Sequence, residues 1–393
     1  MKTKNIFIVL IISFIYSNNS INTGYDNKIN YNFDNQEELN VEINIGDINL
    51  ITFQNKDDYF LRINLENTYP SSEIGAPELP QINRLIEIPH EADIRIEIIN
   101  NEFVEYNLNE INPNAKIFPV QPSLSKSTNP LDVDFMYKKD IYTKNDFISN
   151  DLVQVVDKGT LREVRIGNLM VSPFEYNPIT NVLKIHQKID FNVYFDNANI
   201  SRTNQLKSSY ASPYFEPIFE NTLVNYKSPY LTSRENDFIE DNVTYVIIAN
   251  QSFNGYLDEF IEWKTKKGYD IIVAYTSEIG SSASSIRGFI QEQYQNPPIN
   301  MSPASFVLLV GDTQQIPASY SSGGHVSDLD YCNFTGDDMP EVLCGRFSAQ
   351  TPSHLQAQID KTLQYEQYLM PDPSFLGEVI MISGVDASYA PTY

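Results

Sequence analysis

In this 393-residue chain, few places bring a cysteine nucleophile and a histidine base close together in sequence. A cysteine attacks as its thiolate, which forms when a base such as histidine lies beside it. The chain has two cysteines and four histidines, and His325 precedes Cys332 by seven positions, so a dyad is conceivable there. The simpler interpretation is that Cys344 packs as a small hydrophobe and that Cys332 packs or forms a disulfide with it. We therefore predict core or disulfide roles for both cysteines.

The densest group of carboxylates lies in the same region. It comprises Asp328, Asp330, Asp337, Asp338 and Glu341. Hard oxygen ligands on a glycine-containing loop suit Ca²⁺, although the spacing is not that of an EF-hand. A solvated acidic loop is the commoner explanation of such a cluster. The sequence thus gives these five residues as candidate calcium ligands, and calcium as its one candidate cofactor.

The elements that hold these residues alternate between strand and helix. Continuous apolar runs are typical of parallel strands covered on both faces, and helical spacing follows each of the first two runs. The predicted strands are Thr244–Ala249, Ile271–Tyr275, Phe306–Val310 and Val379–Ser383, and the predicted helices are 253–268, 282–295 and 351–369. This alternation predicts a parallel sheet with helices on both faces.

Ligands of an open parallel sheet bind beyond the carboxyl ends of its strands. Three loops occupy that position in the prediction, namely Val310–Pro317, Gly345–Ser348 and Ser383–Ala387. None of them is a phosphate-binding loop, because neither GxxxxGK[ST] nor GxGxxG occurs in the chain. Nucleotide binding therefore has no support.

The preceding stretch, 21–200, has the pattern of β structure. Residues 183–195 alternate apolar and polar side chains, as in a half-buried strand, and a turn signal before them predicts a hairpin with 162–173. Many short strands separated by turns favour a β-sandwich. Residues 201–241 lack hydrophobic periodicity, which predicts a connector with accessible basic residues. These are Arg202, Lys207, Lys227 and Arg234.

The N-terminal sequence and the net charge further restrict the possible functions and the cellular location. Lys2 and Lys4 precede the apolar run Ile6–Tyr16, which is the pattern of a signal peptide within residues 1–20. That run is too short to span a bilayer, and we predict no transmembrane segment. The formal net charge of −24 argues against nucleic-acid binding, which needs a basic surface. We expect a protein that is secreted or held at the cell surface.

Several motifs, taken in order, resemble one known family. The segments are VLLVGDxxxIPA (Val307–Ala318), SDxxY (Ser327–Tyr331), GDDxPEVxxGRFS (Gly336–Ser348) and IDKTLQYE (Ile359–Glu366). Together they resemble the first half of the catalytic domain of gingipain-type cysteine peptidases. The segment Gly75–Pro80, the strand ending at Pro89, and Pro173–Pro178 leading into residues 183–195 resemble gingipain propeptides.

The resemblance implies a caspase-like α/β peptidase domain, here incomplete, behind an all-β propeptide. Gingipains are cysteine endopeptidases whose dyad is a histidine in a Gly-His-Gly context and a cysteine at the end of a later strand. Neither motif occurs in this chain, so the resemblance implies that the dyad lies downstream of Tyr393. Asp386 matches the family's acidic residue that orients the catalytic histidine, although it is Asp rather than Glu. A helix-capping aspartate is the alternative.

The resulting prediction is the N-terminal portion of a secreted cysteine endopeptidase zymogen. Its parts are a signal peptide (1–20), a β-sandwich propeptide (21–200), a connector with the maturation site (201–241) and a truncated peptidase domain (242–393). We expect this fragment alone to be inactive. The predicted partners are protein or peptide substrates and the propeptide itself as intramolecular inhibitor. A secreted binding protein that keeps the scaffold without catalysis is the alternative.

Overall fold

The structure is a computed structural model that describes residues 19–33, 35–55, 58–124, 128, 133–229, 243–320 and 324–381. Nearly all of the predicted signal peptide, and Arg234 and Asp386, lie outside these residues. No helix in the described ranges is long and apolar enough to cross a membrane. The predicted fold class is confirmed, because mainly antiparallel sheets precede a parallel sheet flanked by helices.

The first part of the chain is built from strands. They are β1 (Asn19–Ile21), β2 (Lys28–Asn32), β3 (Glu38–Asn44), β4 (Ile48–Asn55), β5 (Asp58–Asn64), β6 (Ile82–Glu87), β7 (Asp93–Asn107), β8 (Ala115–Ile117), β9 (Val153–Leu161), β10 (Val164–Val171), β11 (Phe174–Asn177) and β12 (Val182–Asp196), with a short helix α1 (Lys139–Tyr142) before β9. Three sheets have the orders β1-β4-β5-β8, β6-β10-β9 and β11-β12-β3-β2, and β7 pairs with the other edge of β12. One core cluster takes buried side chains from all three sheets.

The strand β12 follows the alternation predicted for 183–195. Leu183, Ile185, Ile189, Phe191 and Val193 are all buried, and most residues between them are partly exposed. The strand lies at the centre of its sheet, since it pairs with β3 on one edge and β7 on the other. Its apolar face supplies much of the core, as period-2 patterning requires.

The predicted hairpin between 162–173 and 183–195 is wrong. The hairpin partner of β12 is β11, and β10 pairs instead with β6 and β9. Pro173 separates β10 from β11 and has no backbone N–H with which to continue a ladder. The chain therefore changes sheets at this proline.

Two helices occupy much of the stretch predicted as a connector without periodicity. They are α2 (Ile200–Ser209) and α3 (Glu216–Thr222). The side-chain oxygen of Asn199 caps α2, a common way to satisfy an open helix terminus. Beyond α3, Leu223 forms a bridge with Leu85 of β6. The polypeptide is therefore folded against the sheets of the first part well past residue 200.

The prediction that Lys207 is accessible is wrong. Its side chain is 3% exposed, and its ammonium donates to both carboxylate oxygens of Glu87 at 2.8 Å. The reason is the helix: α2 places Lys207 toward β6, where Glu87 supplies the opposite charge. Arg202 is exposed and pairs with Glu91, and Lys227 is exposed.

Lys207 and Glu87 belong to a buried acid–lysine cluster that also contains Glu216, Tyr226 and Ser228. The Glu216 carboxylate accepts hydrogen bonds from the Tyr226 hydroxyl at 3.0 Å and from the Ser228 hydroxyl at 2.7 Å. Burial raises the pKa of Glu216, and the hydrogen bonds and Lys207 oppose it only in part. Burial likewise raises the pKa of Glu87 against the influence of Lys207. The cluster thus carries more carboxylate than its one lysine compensates.

We expect Glu216→Gln to stabilise the protein at neutral pH but not in acid. Because folding raises the pKa of Glu216, its contribution to stability is present below the ordinary value of 4.5 and is lost as pH rises through the raised pKa. Glutamine still accepts both hydrogen bonds and does not titrate. The melting temperature of the variant should exceed that of the wild type by about 1–3 °C at neutral pH and match it below pH 4.5.

The matched control for this comparison is Glu66→Gln, which alters an exposed carboxylate. It should leave the pH profile of melting unchanged. A difference between Glu216→Gln and wild type that stays constant from acid to neutral pH would contradict the raised pKa.

The second part of the chain forms a parallel sheet. Its strands are β13 (Val243–Ala249), β14 (Tyr269–Tyr275), β15 (Phe306–Val310) and β18 (Leu343–Phe347), in the order β14-β13-β15-β18. The strands β16 (Ser319–Tyr320) and β17 (Val326–Ser327) form a small hairpin between β15 and β18. The helices are α4 (Asp258–Lys266), α5 (Thr276–Ile279), α6 (Ala283–Gln295) and α7 (Pro352–Glu366).

Both faces of the parallel sheet are covered. On one face Val246 and Ile248 of β13 pack with Ile286 and Ile290 of α6. On the other face Ile247 of β13 belongs to a cluster with side chains of α4 and α7. This two-sided burial explains why β13 and β15 are continuous apolar runs in the sequence.

The predicted fourth strand, Val379–Ser383, is wrong over its described residues. Val379–Met381 lie outside any strand, and their side chains are 84–90% exposed. The fourth strand is β18, which pairs in parallel with β15 from Leu343 opposite Phe306 onward. Only its two end residues are large and apolar, so β18 lacks the run that marks the other strands.

Candidate active-site edge

The two described loops at the carboxyl edge of the parallel sheet are held together by Asp312. This residue follows β15, and its carboxylate accepts hydrogen bonds from the Ser348 hydroxyl at 2.9 Å and the Gln350 amide at 2.6 Å. Its Oδ1 also accepts from the Thr313 backbone N–H at 2.9 Å. These hydrogen bonds, with that from Gln350 the strongest influence, lower the pKa of Asp312. An ionised carboxylate therefore joins the loop after β15 to the loop after β18.

Arg346 of β18 fixes the same edge from inside. Its guanidinium binds the Asp328 carboxylate in a two-pronged contact at 2.8 and 2.7 Å. It also donates to the carbonyls of Gly311 at 2.8 Å and Ile316 at 3.0 Å. Such planar, charge-assisted contacts are geometrically specific. The arginine of the GRFS motif thus holds the GDxxxIP loop and the SDxxY segment in one arrangement.

Tyr331 completes this scaffold. Its hydroxyl donates to the Pro317 carbonyl, and burial raises the pKa of Tyr331 to about 12. The ring packs in the core cluster beneath the edge. The three motifs read from the sequence around Gly311, Asp328 and Arg346 therefore meet in space, as loops at one sheet edge should.

Of the two alternatives predicted for the cysteines, core packing or a disulfide, the disulfide is not formed, since both are free thiols. Cys332 is buried as predicted, whereas Cys344 is exposed rather than packed. It lies on β18, which is the outermost strand of the sheet among the residues that the structure describes. The hydrogen bond with Cys344, and then burial, raise the pKa of the Cys332 thiol. A raised pKa disfavours the thiolate that nucleophilic attack requires. The rings of His90 and His186 bind partners in the first part of the chain.

Three of the candidate calcium ligands lie in different settings. Asp328 is paired with Arg346. Asp330 uses its backbone carbonyl to accept from Arg287 at 3.0 Å. Asp338 has a left-handed backbone, with φ of 66°. Of these three, Asp328 is the one whose carboxylate has a counter-charge among the described contacts.

The other two candidate ligands make structural hydrogen bonds. The Asp337 carboxylate accepts from the backbone N–H groups of Thr160 at 2.6 Å and Met339 at 3.0 Å. Glu341 is buried and accepts from the Phe334 backbone N–H at 2.6 Å. Within the described ranges, no three His, Cys, Asp or Glu side chains converge as a metal-binding group. Calcium binding by these five residues stays a prediction from the sequence.

Two family models match the chain in sequence order. The model described as Propeptide_C25 matches residues 28–232, more than half of the chain, and Peptidase family C25 matches residues 239–392. The chain belongs to peptidase family C25. It comprises a C25 propeptide and part of a C25 peptidase domain, as gingipain-type precursors do.

Curated relatives of this C25 chain come from Porphyromonas gingivalis. Lys-gingipain W83 is 32% identical over 356 residues, which is 90% of this chain and 20% of the relative. Gingipain R1 is 27% identical over 318 residues, 80% of this chain and 30% of the relative. The chain thus spans about a fifth of the length of the Lys-gingipain relative.

Two solved structures of gingipains can be superposed on parts of the chain. A structure on the zymogenic latency of gingipain K from P. gingivalis has a TM-score of 0.43 and 28% identity, covering 46% of this chain and 99% of that one. A complex of the pro- and mature domains of P. gingivalis RgpB has a TM-score of 0.42 and 20% identity, covering 51% of this chain and 98% of that one.

The C25 chain contains site features that the sequence did not single out. The motifs predict loops at the carboxyl edge, but nothing in their sequence predicts the contact of Asp312 with Ser348 and Gln350. Asp328 was assigned to calcium, whereas its partner is Arg346. The available signal is Arg346 itself, because a charged side chain that is largely buried must find a counter-charge. The loop 383–387, with Asp386, lies outside the described residues.

Proposed function

We propose that the whole protein is a secreted cysteine endopeptidase made as a zymogen. The observation that supports this best is the order of the two matched regions, a propeptide followed by a peptidase region. The second region also has a parallel sheet whose carboxyl-edge loops are locked by Arg346, which leaves a fixed platform for catalytic groups. The comparisons favour this function over a non-catalytic binding protein.

Peptide-bond hydrolysis is assigned to a Cys–His dyad in the part of the peptidase domain after Tyr393. The thiolate adds to the peptide carbonyl carbon, and the protonated histidine gives its proton to the leaving amine, so that an acyl-enzyme forms. Water, deprotonated by the same histidine, then breaks the thioester and restores the thiol. Asp386 is proposed to fix the orientation and tautomer of that histidine, as the third group of a triad does.

Maturation is assigned to cleavage after a basic residue beyond α3. Lys227 is exposed there, and Arg234 follows in the sequence. Lys207 is excluded by its burial. Until this cleavage the propeptide acts as intramolecular inhibitor, and protein or peptide chains are the substrates. The signal peptide 1–20 places the enzyme outside the cell or at its surface.

The test uses the precursor with the residues that follow Tyr393. Peptides with Lys, Arg or Ala before the scissile bond are offered before and after cleavage of the connector. We expect hydrolysis that rises on cleavage and is abolished by iodoacetamide, which blocks thiols. In the double variant Lys227→Ala/Arg234→Ala, activity should appear later or not at all. A cleaved precursor without thiol-dependent hydrolysis would refute the proposed function.

A further inference from the structure

The tip of the β9–β10 hairpin has an unusual turn. Only Arg162 and Glu163 connect the two strands, and their φ angles are 46° and 63°. Two-residue hairpin loops with positive φ at both positions are normally Asn-Gly or similar, because side chains disfavour the left-handed region. Non-glycine residues persist in such a conformation when their surroundings hold them there, often for a functional reason. The environment of Arg162 supplies that reason.

The Arg162 side chain is 2% exposed and uses all five of its guanidinium N–H groups. Its acceptors form a guanidinium socket. They are the carbonyl of Tyr210 at 2.6 Å, of Ala304 at 2.8 Å, of Pro303 at 3.1 Å and of Glu341 at 3.1 Å, and the hydroxyl of Ser305 at 3.1 Å. Aromatic rings border the socket, with their centroids 4.9 Å from the guanidinium carbon for Phe215 and 5.5 Å for Tyr294.

The socket lies at the amino edge of the parallel sheet. Pro303–Ser305 precede β15, and Glu341 precedes β18. The edge that carries Asp312 is at the other end of these five-residue strands, about 16 Å away at the usual rise per residue. Four of the five hydrogen bonds join residue 162 to residues beyond 243. These hydrogen bonds therefore join the part of the chain before the connector to the part after it.

A second contact supports the same junction. The Thr160 backbone N–H donates to the Asp337 carboxylate at 2.6 Å. The neighbouring Gly159 has φ of 124°, and a Cβ there would lie 2.3 Å from an oxygen of Asp337. The hairpin and the loop that carries Asp337 thus fit closely only with glycine at this position.

We propose that Arg162 is the residue that keeps the propeptide bound to the peptidase domain after the connector is cut. The hairpin tip lies in the guanidinium socket at the amino edge, at the opposite end of the strands from the candidate active-site edge. The roles of propeptide and peptidase rest on the proposed function, but the binding itself does not require catalysis. A lysine in place of Arg162 would keep the charge, yet its three donors cannot fill five acceptors.

The test uses the full chain with a specific protease site placed between Pro229 and Val243. After cleavage, dissociation of the two pieces is followed by size exclusion or by surface-bound capture of one piece. Wild-type pieces should stay together for hours. Arg162→Ala should speed dissociation roughly a hundredfold, and Arg162→Lys at least about tenfold. Arg165→Ala is the control, since this arginine binds Asp157 and Ala92 within the propeptide part.

Circular dichroism of the uncut variants establishes that they fold. Should Arg162→Ala aggregate, Arg162→Lys and Asp337→Ala carry the test, and each should still speed dissociation. Equal dissociation rates for wild type and the Arg162 variants would overturn the proposal, as would wild-type pieces that separate at once. None of these readouts involves peptide hydrolysis. A precursor that proves inactive would therefore refute the proposed function and leave this inference standing.

Discussion

Replacing Lys207 by alanine is expected to lower the free energy of unfolding of the propeptide part by about 3–5 kcal/mol. Lys207 and Glu87 are both buried, and the ammonium contacts both carboxylate oxygens. Removing the lysine leaves the Glu87 carboxylate buried without its counter-charge. Since burial already raises the pKa of Glu87, the variant should lose most stability at neutral pH and recover part of it in acid. Urea denaturation followed by far-ultraviolet circular dichroism measures the change.

The control is Arg202→Ala on the same helix. Arg202 and Glu91 form an exposed pair, which contributes little in water, so the urea midpoint should stay where it is in wild type. The double variant Lys207→Met/Glu87→Gln should regain part of the loss, because Glu87 no longer carries a buried charge and only the Glu216 carboxylate is left without the lysine. Equal midpoints for Lys207→Ala and Arg202→Ala would show that the buried pair does not stabilise the fold.

Replacing Arg346 by alanine should destabilise the parallel-sheet part by about 2–4 kcal/mol. The figure lies below that for Lys207 because the side chain of Asp328 is 26% exposed and water can solvate the carboxylate left behind. The carbonyls of Gly311 and Ile316 also lose their donor. Trp263, the one tryptophan of the chain, lies in α4, so its fluorescence reports unfolding of this part.

The control for Arg346 is Lys266→Ala, which removes an exposed i,i+4 pair with Glu262. Its tryptophan transition should coincide with that of wild type. Arg346→Lys should fall between wild type and alanine, because lysine cannot make the two-pronged contact with Asp328. If Arg346→Ala and Lys266→Ala unfold at the same urea concentration, the arginine does not hold the edge loops together.

Strands buried on one or both faces could be predicted from the sequence. The alternation in β12 and the apolar runs of β13 and β15 report directly which side chains avoid water. The helix α6, predicted at 282–295, begins after its cap Ser282 and ends at Gln295. In each case the pattern and the burial have the same cause, so the prediction needs no knowledge of distant contacts.

Features set by distant contacts could not be predicted. β18 is a strand because β15 pairs with it, although Cys344, Gly345 and Arg346 form its middle. The partners of β10 depend on a change of sheet at Pro173. α2 has weak amphipathicity of its own, and its packing on β6 buries Lys207. In all three cases contacts between residues distant in sequence determine the structure.

The candidate site shows the same division. Spacing along the chain placed the GDxxxIP and GRFS loops at one sheet edge, because carboxyl ends of parallel strands share an edge. Spacing also grouped five carboxylates that the fold separates: Asp337 contacts Thr160, more than 170 positions earlier in the sequence. Carboxylates that are close in sequence are therefore weak evidence for a shared metal ion. Loops that follow neighbouring parallel strands are stronger evidence for a common site.

The position of β12 has a consequence for the order in which the chain can fold during its synthesis. β12 is the central strand of its sheet and also the last strand of that sheet to leave the ribosome. β3 and β7 both need it as a partner, and β3 must wait for residues about 150 positions further on. Long-range closure of this kind is slow. The nascent propeptide therefore stays incompletely folded until residue 196 emerges, although most of its strands have left the ribosome long before.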